Sequence, residues 1–311
     1  MKKNRVIVIG SYLVALVMDT DRIPLQGETL VARNFHQTHG GKGSNQAVQA
    51  ARLGAPTSFV GFVGNDSYGH SFVDLCKAEK VDTTNVRFSD KRPTGAGFIV
   101  CSNDGHNVIT IDIAANLDLT PVAIDALTTD IIPGDIVLIQ LEIPVESALY
   151  AAKVAKAKGA IVILNPAPAA NLSNHDLSFI DFITPNETEA RICSGVDQNR
   201  AITDEEAAQK LCVLGCKNVI VTQGEKGCLV LNENGFSSVE AFRFQDIVDS
   251  TGAGDSFNAA FAVGMLEEKT IAEACRFANA AAGLACTKAD TIPSYHYRNE
   301  VNEFISKKDL I

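Results

Sequence analysis

The stretch IVLIQLEIPVESALYAAKVAKAKGAIVIL, residues 136–164, changes from one structural pattern to another and back. Residues 136–141 and 161–164 are short runs rich in Ile, Val and Leu, which are typical of strands buried on both faces. Residues 145–158, between them, are predicted to form a helix. A helix that joins two such strands makes a βαβ unit, so this stretch predicts an α/β fold with a mostly parallel sheet and helices on both of its faces.

The same alternation extends in both directions along the chain. Further strands are predicted over 6–9, 57–60, 180–184 and 219–222, with strand and turn over 228–244. Further helices are predicted over 45–53, 67–80, 187–194, 204–214, 256–267, 271–285 and 298–305. Two parts interrupt the pattern: residues 12–36 are irregular, and the β-rich runs 95–101 and 107–113 flank hairpin residues with no helix between them. No linker or repeat divides the chain, so we expect one domain over residues 1–311.

Composition and charge exclude several classes of protein. The chain has 311 residues, 46% of them hydrophobic, and its 27 basic and 37 acidic residues give a net charge of −10. Such a charge disfavours nucleic acid and anionic membranes as partners. The eight cysteines form no CxxC pair and no zinc-ligand spacing, and no run of apolar residues is long enough to span a bilayer. We therefore expect a cytoplasmic protein with reduced thiols.

The strongest motif is DSTGAGDSF, residues 249–257, which precedes a long predicted helix. Small residues at a helix start let the first backbone amides point outward, where the helix dipole favours an anion. Asp255 lies at the same turn and could accept a hydroxyl proton beside a transferred phosphoryl group. The alternative is that Asp255 only caps the helix and the glycines only turn the chain. The second aspartate, Asp249, at the other side of the turn favours chemistry.

A second glycine-rich loop, HGGKGSN at residues 39–45, also opens a predicted helix. It is neither a Walker A loop nor a dinucleotide fingerprint. Gly41 permits close approach of the backbone to a small ligand, Lys42 supplies a positive charge, and Asn45 can donate and accept hydrogen bonds. A plain strand-to-helix turn explains the same residues equally well.

Two weaker motifs follow predicted strands. In PNETE, residues 185–189, Asn186 and Glu189 share one helical face and could order water around Mg²⁺, although a capping box is the better explanation of this pair alone. TQGEKG, residues 222–227, is either a turn or a backbone cradle for nucleotide phosphates. Because ligands of open parallel sheets bind beyond the carboxyl ends of the strands, we expect the polar residues that follow these strands to gather at one edge.

The ordered set of motifs resembles the ribokinase or PfkB family of carbohydrate kinases over nearly the whole chain. The matching motifs are GGKGSNQA at 40–47, NPAPA at 165–169, PNETE at 185–189 and DSTGAGDSF at 249–257. The resemblance implies a ribokinase-like three-layer α/β/α sandwich with a small β lid, formed by about 12–36 and 92–113. It also implies transfer of the γ-phosphate of ATP to a hydroxyl of a sugar or sugar-like molecule.

The resemblance further implies a role for individual residues. Asp255 would orient and deprotonate the hydroxyl, beside an anion hole made by Gly252, Ala253 and Gly254. The sugar would bind at Gly41, Lys42, Asn45 and Glu142. The nucleotide would bind at Asn186, Thr222, Gly224, Gly227 and Asn279, with Mg²⁺ held through water by Asn186 and Glu189. A monovalent cation, expected to be K⁺, would bind at Asp249, Ser294 and the carbonyls of Thr251, Ala285, Lys288 and Asp290. A homodimer through the lid is expected.

Two departures from the family pattern bear on the site, one on the substrate and one on the monovalent cation. Ribokinases usually carry Asn and Asp where this chain has Leu13 and Ala15, and glycine where it has Asp290. A site that has lost its partners for a hydroxyl disfavours substrates that place a hydroxyl there, which argues against ribose. Asp19 lies about 13 Å farther along a strand from Ala15 and cannot substitute. The alternatives are a nucleoside kinase of the same fold and a non-catalytic sensor, which would have no need to preserve Asp255.

Overall fold

The main sheet has nine strands in the part of the chain that the computed structural model describes, residues 3–103, 106–197 and 200–308. Their spatial order is β13 (Gly235–Val239), β12 (Cys228–Asn232), β11 (Asn218–Thr222), β10 (Phe182–Ile183), β9 (Ile161–Leu164), β8 (Ile136–Ile139), β1 (Val6–Ile9), β4 (Thr57–Gly64) and β5 (Val81–Ser89). The strands from β11 to β5 run parallel, and β12 and β13 are antiparallel. The predicted mostly parallel sheet is confirmed.

Helices cover both faces of this sheet. One face carries α1 (Lys42–Arg52), α2 (Ser67–Ala78), α7 (Ala253–Leu266), α8 (Ile271–Ala285) and α9 (Arg298–Lys308). The other carries α3 (Pro121–Leu127), α4 (Val145–Ala157), α5 (Glu187–Cys193) and α6 (Asp204–Val213). Strand β1 shows the division, because Val6 and Val8 pack in the first core and Ile7 and Ile9 in the second. The predicted three-layer α/β/α arrangement is confirmed.

Helix α7 is buried on all sides, which fixes the position of its N-terminus. Every residue from Asp255 to Gly264 is buried. Phe261 packs edge to face against Phe182 of β10, with ring centroids 5.1 Å apart. Gly264 lets α8 approach closely, since a Cβ there would lie 2.8 Å from that of Ala274. Within the described residues, no helix combines the length and the apolar character needed to cross a bilayer.

A second sheet of four strands lies apart from the first. Its order is β3 (Arg33–Gly40), β2 (Leu13–Thr20), β6 (Gly95–Ser102) and β7 (Asn107–Asp112). The irregular structure expected over 12–36 is wrong, because this segment contains β2 and enters β3. Strand β2 has apolar residues at both parities, so it shows no alternation, and β3 is a mostly exposed edge strand with polar residues. Strand β5 was not predicted, and α1 begins at Lys42, three residues before the expected start.

Candidate active site

The turn before α7 needs a glycine at one position. Gly252 has a left-handed backbone with φ of 78°, and its carbonyl accepts a hydrogen bond from the Tyr295 hydroxyl at 3.1 Å. A Cβ at residue 252 would lie 2.7 Å from that hydroxyl oxygen. The Ala253 amide donates to the Ser250 carbonyl at 3.2 Å, whereas the amides of Gly254 and Asp255 have no acceptor among the described residues. The helix start therefore offers free donors to an anion.

Two side-chain amides of α1 hold the carboxylate of Asp255. Nδ2 of Asn45 donates to Oδ2 and Nε2 of Gln46 donates to Oδ1, each at 2.9 Å. Asp255 is 5% exposed and lines a cavity, so its carboxylate is neither a cap nor turned into the core. Asn45 Oδ1 is buried without a partner, so it can accept a hydrogen bond from a ligand. Gln46 was not among the predicted site residues. Its position directly after Asn45 in the same glycine-rich motif was the feature of the sequence that could have indicated it.

The polar residues that follow the central strands meet behind Asp255. Nε2 of Gln46 also lies 3.1 Å from Oδ1 of Asn165, which follows β9. Oε1 of Gln46 accepts a hydrogen bond from the amide of Gln140, which follows β8. A Cβ at Gly10, which follows β1, would lie 2.0 Å from Oε1 of Gln140, so a side chain there would displace the Gln140 amide. The expected gathering of polar side chains at one sheet edge is confirmed for these strands.

The first cavity, of about 620 Å³, lies between the second sheet and the rest of the chain, which we call the main domain and which supplies its charged lining residues Lys42, Glu142, Asp249, Asp255 and Asp290. The residues predicted for the sugar all line it: Gly41, Lys42, Asn45 and Glu142. Oε2 of Glu142 accepts hydrogen bonds from the Ser11 hydroxyl at 2.5 Å and from the Lys42 amide at 2.7 Å. Burial raises the pKa of Glu142. The pKa of Lys42 is raised because the negative charges of Asp255, Glu142 and Glu189 outweigh the opposing effect of burial.

The second sheet closes the other side of the first cavity with a mostly aliphatic wall, in which Thr38, Ser102 and Asn107 are polar. Leu13 and Ala15 of β2 line it and are 3% and 8% exposed. The nearby acidic residues of this sheet point to other partners: Asp19 accepts from Asn34 Nδ2 at 2.9 Å, and Asp21 pairs with Arg33 at 2.7 Å. No carboxylate of β2 therefore takes the place of the aspartate that ribokinases usually carry where this chain has Ala15.

A second cavity, of about 780 Å³, contains the residues predicted for the nucleotide except Asn186. Gly227 has φ of 98° and leaves no room for a Cβ, which would lie 2.0 Å from the Val239 carbonyl oxygen. Nδ2 of Asn279 donates to the carbonyls of Val239 and Glu240, each at 3.2 Å. The lining residues named in the prediction are Thr222, Gly224, Gly227 and Asn279.

The two cavities lie on the two sides of the N-terminus of α7. Gly252 and Asp255 line the first cavity, and Ala253 and Gly254 line the second. A group passed from a ligand in one cavity to a ligand in the other would therefore pass the free amides of this helix start.

Asn186 and Glu189 form the capping box that sequence reasoning favoured for the pair alone. Oδ1 of Asn186 accepts from the Glu189 amide at 2.8 Å, and Oε2 of Glu189 accepts from the Asn186 amide at 2.9 Å. Burial raises the pKa of Glu189, and the negative charge of Asp255 adds to this while Lys42 opposes it. Two carboxylates that repel each other beside oxygen donors fit a hydrated Mg²⁺, which would relieve the repulsion.

Three of the residues predicted for a monovalent cation are in contact. Oδ1 of Asp249 accepts from the Thr251 amide at 2.9 Å, and Oδ2 accepts from the Asp290 amide at 3.1 Å. Asp290 has φ of 66°, a left-handed conformation that explains why glycine is usual at this position. The other three are engaged in local hydrogen bonds: the Ala285 carbonyl accepts from the Lys288 amide, and the Ser294 hydroxyl donates to the Thr291 carbonyl at 2.7 Å.

Known proteins resemble this chain along nearly its whole length. The sequence profile of the pfkB family carbohydrate kinases matches residues 3–297. The ribokinase of Haemophilus influenzae is 39% identical over 302 residues, which are 96% of this chain and 97% of that protein. The deoxyribokinase of Salmonella typhimurium is 35% identical over 302 residues, 96% and 98% of the two chains. A structure of Arabidopsis thaliana ribokinase complexed with ribose and ATP superimposes with a TM-score of 0.82, 33% identity and coverage of 98% and 99%.

Proposed function

We propose that this chain, which belongs to the pfkB family of carbohydrate kinases, binds its acceptor in the first cavity and ATP in the second. The chain is an ATP-dependent sugar kinase, a phosphotransferase with an alcohol group as acceptor. The observation that carries the assignment of the cavities is the position of the α7 N-terminus between them. Asp255 lines one cavity and Gly254 the other.

Asp255 is the base in this proposal. Its carboxylate accepts the proton of the acceptor hydroxyl as the hydroxyl oxygen attacks the γ-phosphorus and ADP leaves. The amides of Asn45 and Gln46 orient the carboxylate before the reaction. The free amides of Gly254 and Asp255 at the start of α7 donate to the γ-phosphate oxygens and stabilise the charge of the transition state, whereas the Ala253 amide is already held by the Ser250 carbonyl.

Two cations complete the proposed site. Mg²⁺ bound with ATP would be held through water by Asn186 and Glu189, and it would neutralise charge on the phosphates. A monovalent cation, K⁺, would be held by Asp249 and Ser294 and by the carbonyls of Thr251, Ala285, Lys288 and Asp290. The contacts of Asp249 with the amides of Thr251 and Asp290 support this assignment, because they bring both loops to one carboxylate.

The second sheet is assigned as a lid on the single domain formed by the chain. It covers the first cavity, and closing it over the acceptor would exclude water and suppress hydrolysis of ATP. Its outer face exposes large apolar side chains, with Phe35 59%, Phe98 52% and Val108 47% exposed. Such a patch supports a homodimer formed through the lids of two copies. The eight unpaired cysteines support a cytoplasmic location, where thiols stay reduced.

The test of the proposed function is ADP release in Mg²⁺, K⁺ and ATP with pentoses, hexoses, deoxysugars and nucleosides as acceptors. The proposal expects turnover with at least one sugar and loss of that turnover in Asp255→Asn. Turnover with nucleosides alone would support the nucleoside kinase. Measurable binding of a panel member without turnover of any would support the non-catalytic sensor and overturn the proposal.

A further inference from the structure

The registered strands of the lid place its cavity-facing residues in rows. In one row, Thr38 of β3 pairs with Ala15 of β2, Ala15 with Gly97 of β6, and Gly97 with Ile111 of β7. In the next row, Val17 pairs with Ile99. These residues all line the first cavity. Because side chains alternate across a strand, the row spacing puts them on the one face that looks toward Asp255.

The smallest side chains of this wall lie directly opposite each other. Ala15 and Gly97 form a registered pair, and the larger residues Leu13 and Val17 stand on either side of Ala15 along β2. Ile111 closes the row beyond Gly97. The pair therefore leaves a shallow notch in a mostly aliphatic wall, with Thr38 of β3 at its other side. We name it the Ala15/Gly97 notch.

The side chains of the notch itself offer no hydrogen-bond partner to a hydroxyl group of a ligand; the nearest registered polar side chain is that of Thr38 in β3, which pairs with Ala15 on the side away from Gly97. Ala15 and Leu13 have only methyl and methylene groups, and Gly97 has no side chain. The charged groups of the cavity, such as Lys42 and Glu142, stand on the main domain, and the polar lid residues of the lining are Thr38 beside Ala15 and Ser102, His106 and Asn107 at the Ser102 end of β6. A hydroxyl on the Gly97 side of the notch, away from Thr38, would lose its water and find no side-chain partner in the notch, which disfavours its binding. A methyl or methylene group in the same place would gain buried apolar area.

We propose that the acceptor of this kinase carries an apolar edge, a deoxygenated carbon or a methyl substituent, that lies in the Ala15/Gly97 notch while its hydroxyls face the main domain. This rests on the proposed function, because it takes the first cavity as the acceptor site. A sugar with one apolar edge fits better than a nucleoside, since none of the described residues that line the cavity is Phe, Tyr or Trp on which a base could stack.

The first experiment compares ribose with its singly deoxygenated and singly O-methylated derivatives as acceptors of wild-type enzyme. We expect at least one derivative to exceed ribose in kcat/KM by about 10-fold or more, from a lower KM. Isothermal titration of the same sugars in the presence of a non-hydrolysable ATP analogue should give the same order of affinities. Ribose ahead of every derivative in both measurements would overturn the inference and leave the kinase assignment intact.

Gly97→Ala tests the notch with one added methyl group. A Cβ at residue 97 would lie 3.5 Å from Ile111 Cγ2, an ordinary contact, so the fold accommodates it. We expect the variant to melt at the wild-type temperature and to lose about 10-fold in kcat/KM for the favoured derivative, with less change for ribose. An unchanged preference between the two sugars would contradict the notch.

The double variant Leu13→Asn with Ala15→Asp restores polar groups to the wall. We expect it to reverse the order of the two sugars. Its matched control, Leu16→Asn with Met18→Asp, puts the same side chains on the same strand at positions that do not line the cavity, and should keep the wild-type order. Equal effects of the two double variants would count against the inference. If wild type turns over no acceptor at all, the proposed function fails, and this inference fails with it.

Discussion

Gln46 joins the carboxylate of Asp255 to the edge of the main sheet. Its Nε2 donates to Asp255 Oδ1 at 2.9 Å and lies 3.1 Å from Asn165 Oδ1, at the end of β9. The edge of the main sheet therefore orients the Asp255 carboxylate through one buried side-chain amide, that of Gln46. Asp255 itself belongs to a different element, α7. Gln46 is a positioning residue in the proposed mechanism.

Gln46→Leu should lower kcat by roughly 10- to 100-fold and leave KM for ATP near the wild-type value. The Asp255 carboxylate loses one of its two amide donors and with it a fixed orientation, and a hydrogen bond to a charged group contributes about 1.5–3 kcal/mol. Steady-state kinetics with ATP and the favoured sugar gives both parameters. The contrasting variant is Gln49→Leu, which changes the same kind of buried side chain on α1 without touching Asp255. Equal kcat values in the two variants would show that Gln46 does not position the Asp255 carboxylate for the reaction.

The two glycines of the turn before α7 should respond differently to alanine. At Gly252 a side chain meets a left-handed backbone and the Tyr295 hydroxyl, so Gly252→Ala should lower the melting temperature. At Gly254 a Cβ meets no atom within 4 Å, so Gly254→Ala should melt like wild type. Because residue 254 lines the second cavity, its methyl should instead weaken ATP binding and lower kcat. Calorimetry of both variants measures the melting temperature, and kinetics measures ATP binding and kcat. Wild-type kcat and ATP binding in Gly254→Ala would mean that the phosphates of ATP do not bind at this turn.

Glu142 should make the stability of the protein fall as pH rises. Burial raises its pKa above the ordinary value of 4.5, so the folded chain holds this proton more tightly than the unfolded chain. The stabilisation by the bound proton is complete below the ordinary value and is lost as pH rises through the raised pKa. Glu142→Gln removes this titration. The free energy of unfolding of the variant, relative to wild type, should therefore increase with pH above about 4.5 in urea titrations. A constant or falling difference would contradict the raised pKa.

Asp249 should make the enzyme respond to K⁺. In the proposed cation site its carboxylate holds the loops of Thr251 and Asp290, next to the glycine turn. We expect initial rates several-fold higher in KCl than in tetramethylammonium chloride of equal ionic strength, and no difference in Asp249→Asn. Asp246→Asn, in the same segment and exposed, should respond like wild type. Equal rates of wild type in the two salts would remove the cation from the proposal.

The sequence predicted the layers of the fold better than the second sheet. Strands such as Ile161–Leu164 and helices such as Ile271–Ala285 were predicted with their observed bounds, because the buried strands are continuous apolar runs and the helix is amphipathic. Strand β3 was missed since its residues are polar and mostly exposed, and only pairing with β2 holds it extended. Pairing between strands is a tertiary interaction, and the local pattern of polar and apolar residues does not indicate it.

The candidate site was predicted residue by residue, but its support was not. Asp255, Asn45 and Glu142 were expected, and each lines the first cavity. The amide of Gln46 and the hydroxyl of Ser11, which hold two of those carboxylates, were not assigned to the site, because contacts 209 and 131 residues apart depend on the folded sheet. The capping box of Asn186 was predicted correctly from spacing alone, since it is local.

The most direct test of the account is the rate of phosphoryl transfer in Asp255→Asn beside its affinity for ATP. The account predicts that single-turnover transfer to the favoured sugar falls by about 10² to 10⁴, while the dissociation constant for ATP, measured by calorimetry, stays within a few-fold of wild type. Transfer at the wild-type rate would mean that the carboxylate between the two cavities takes no part in the reaction.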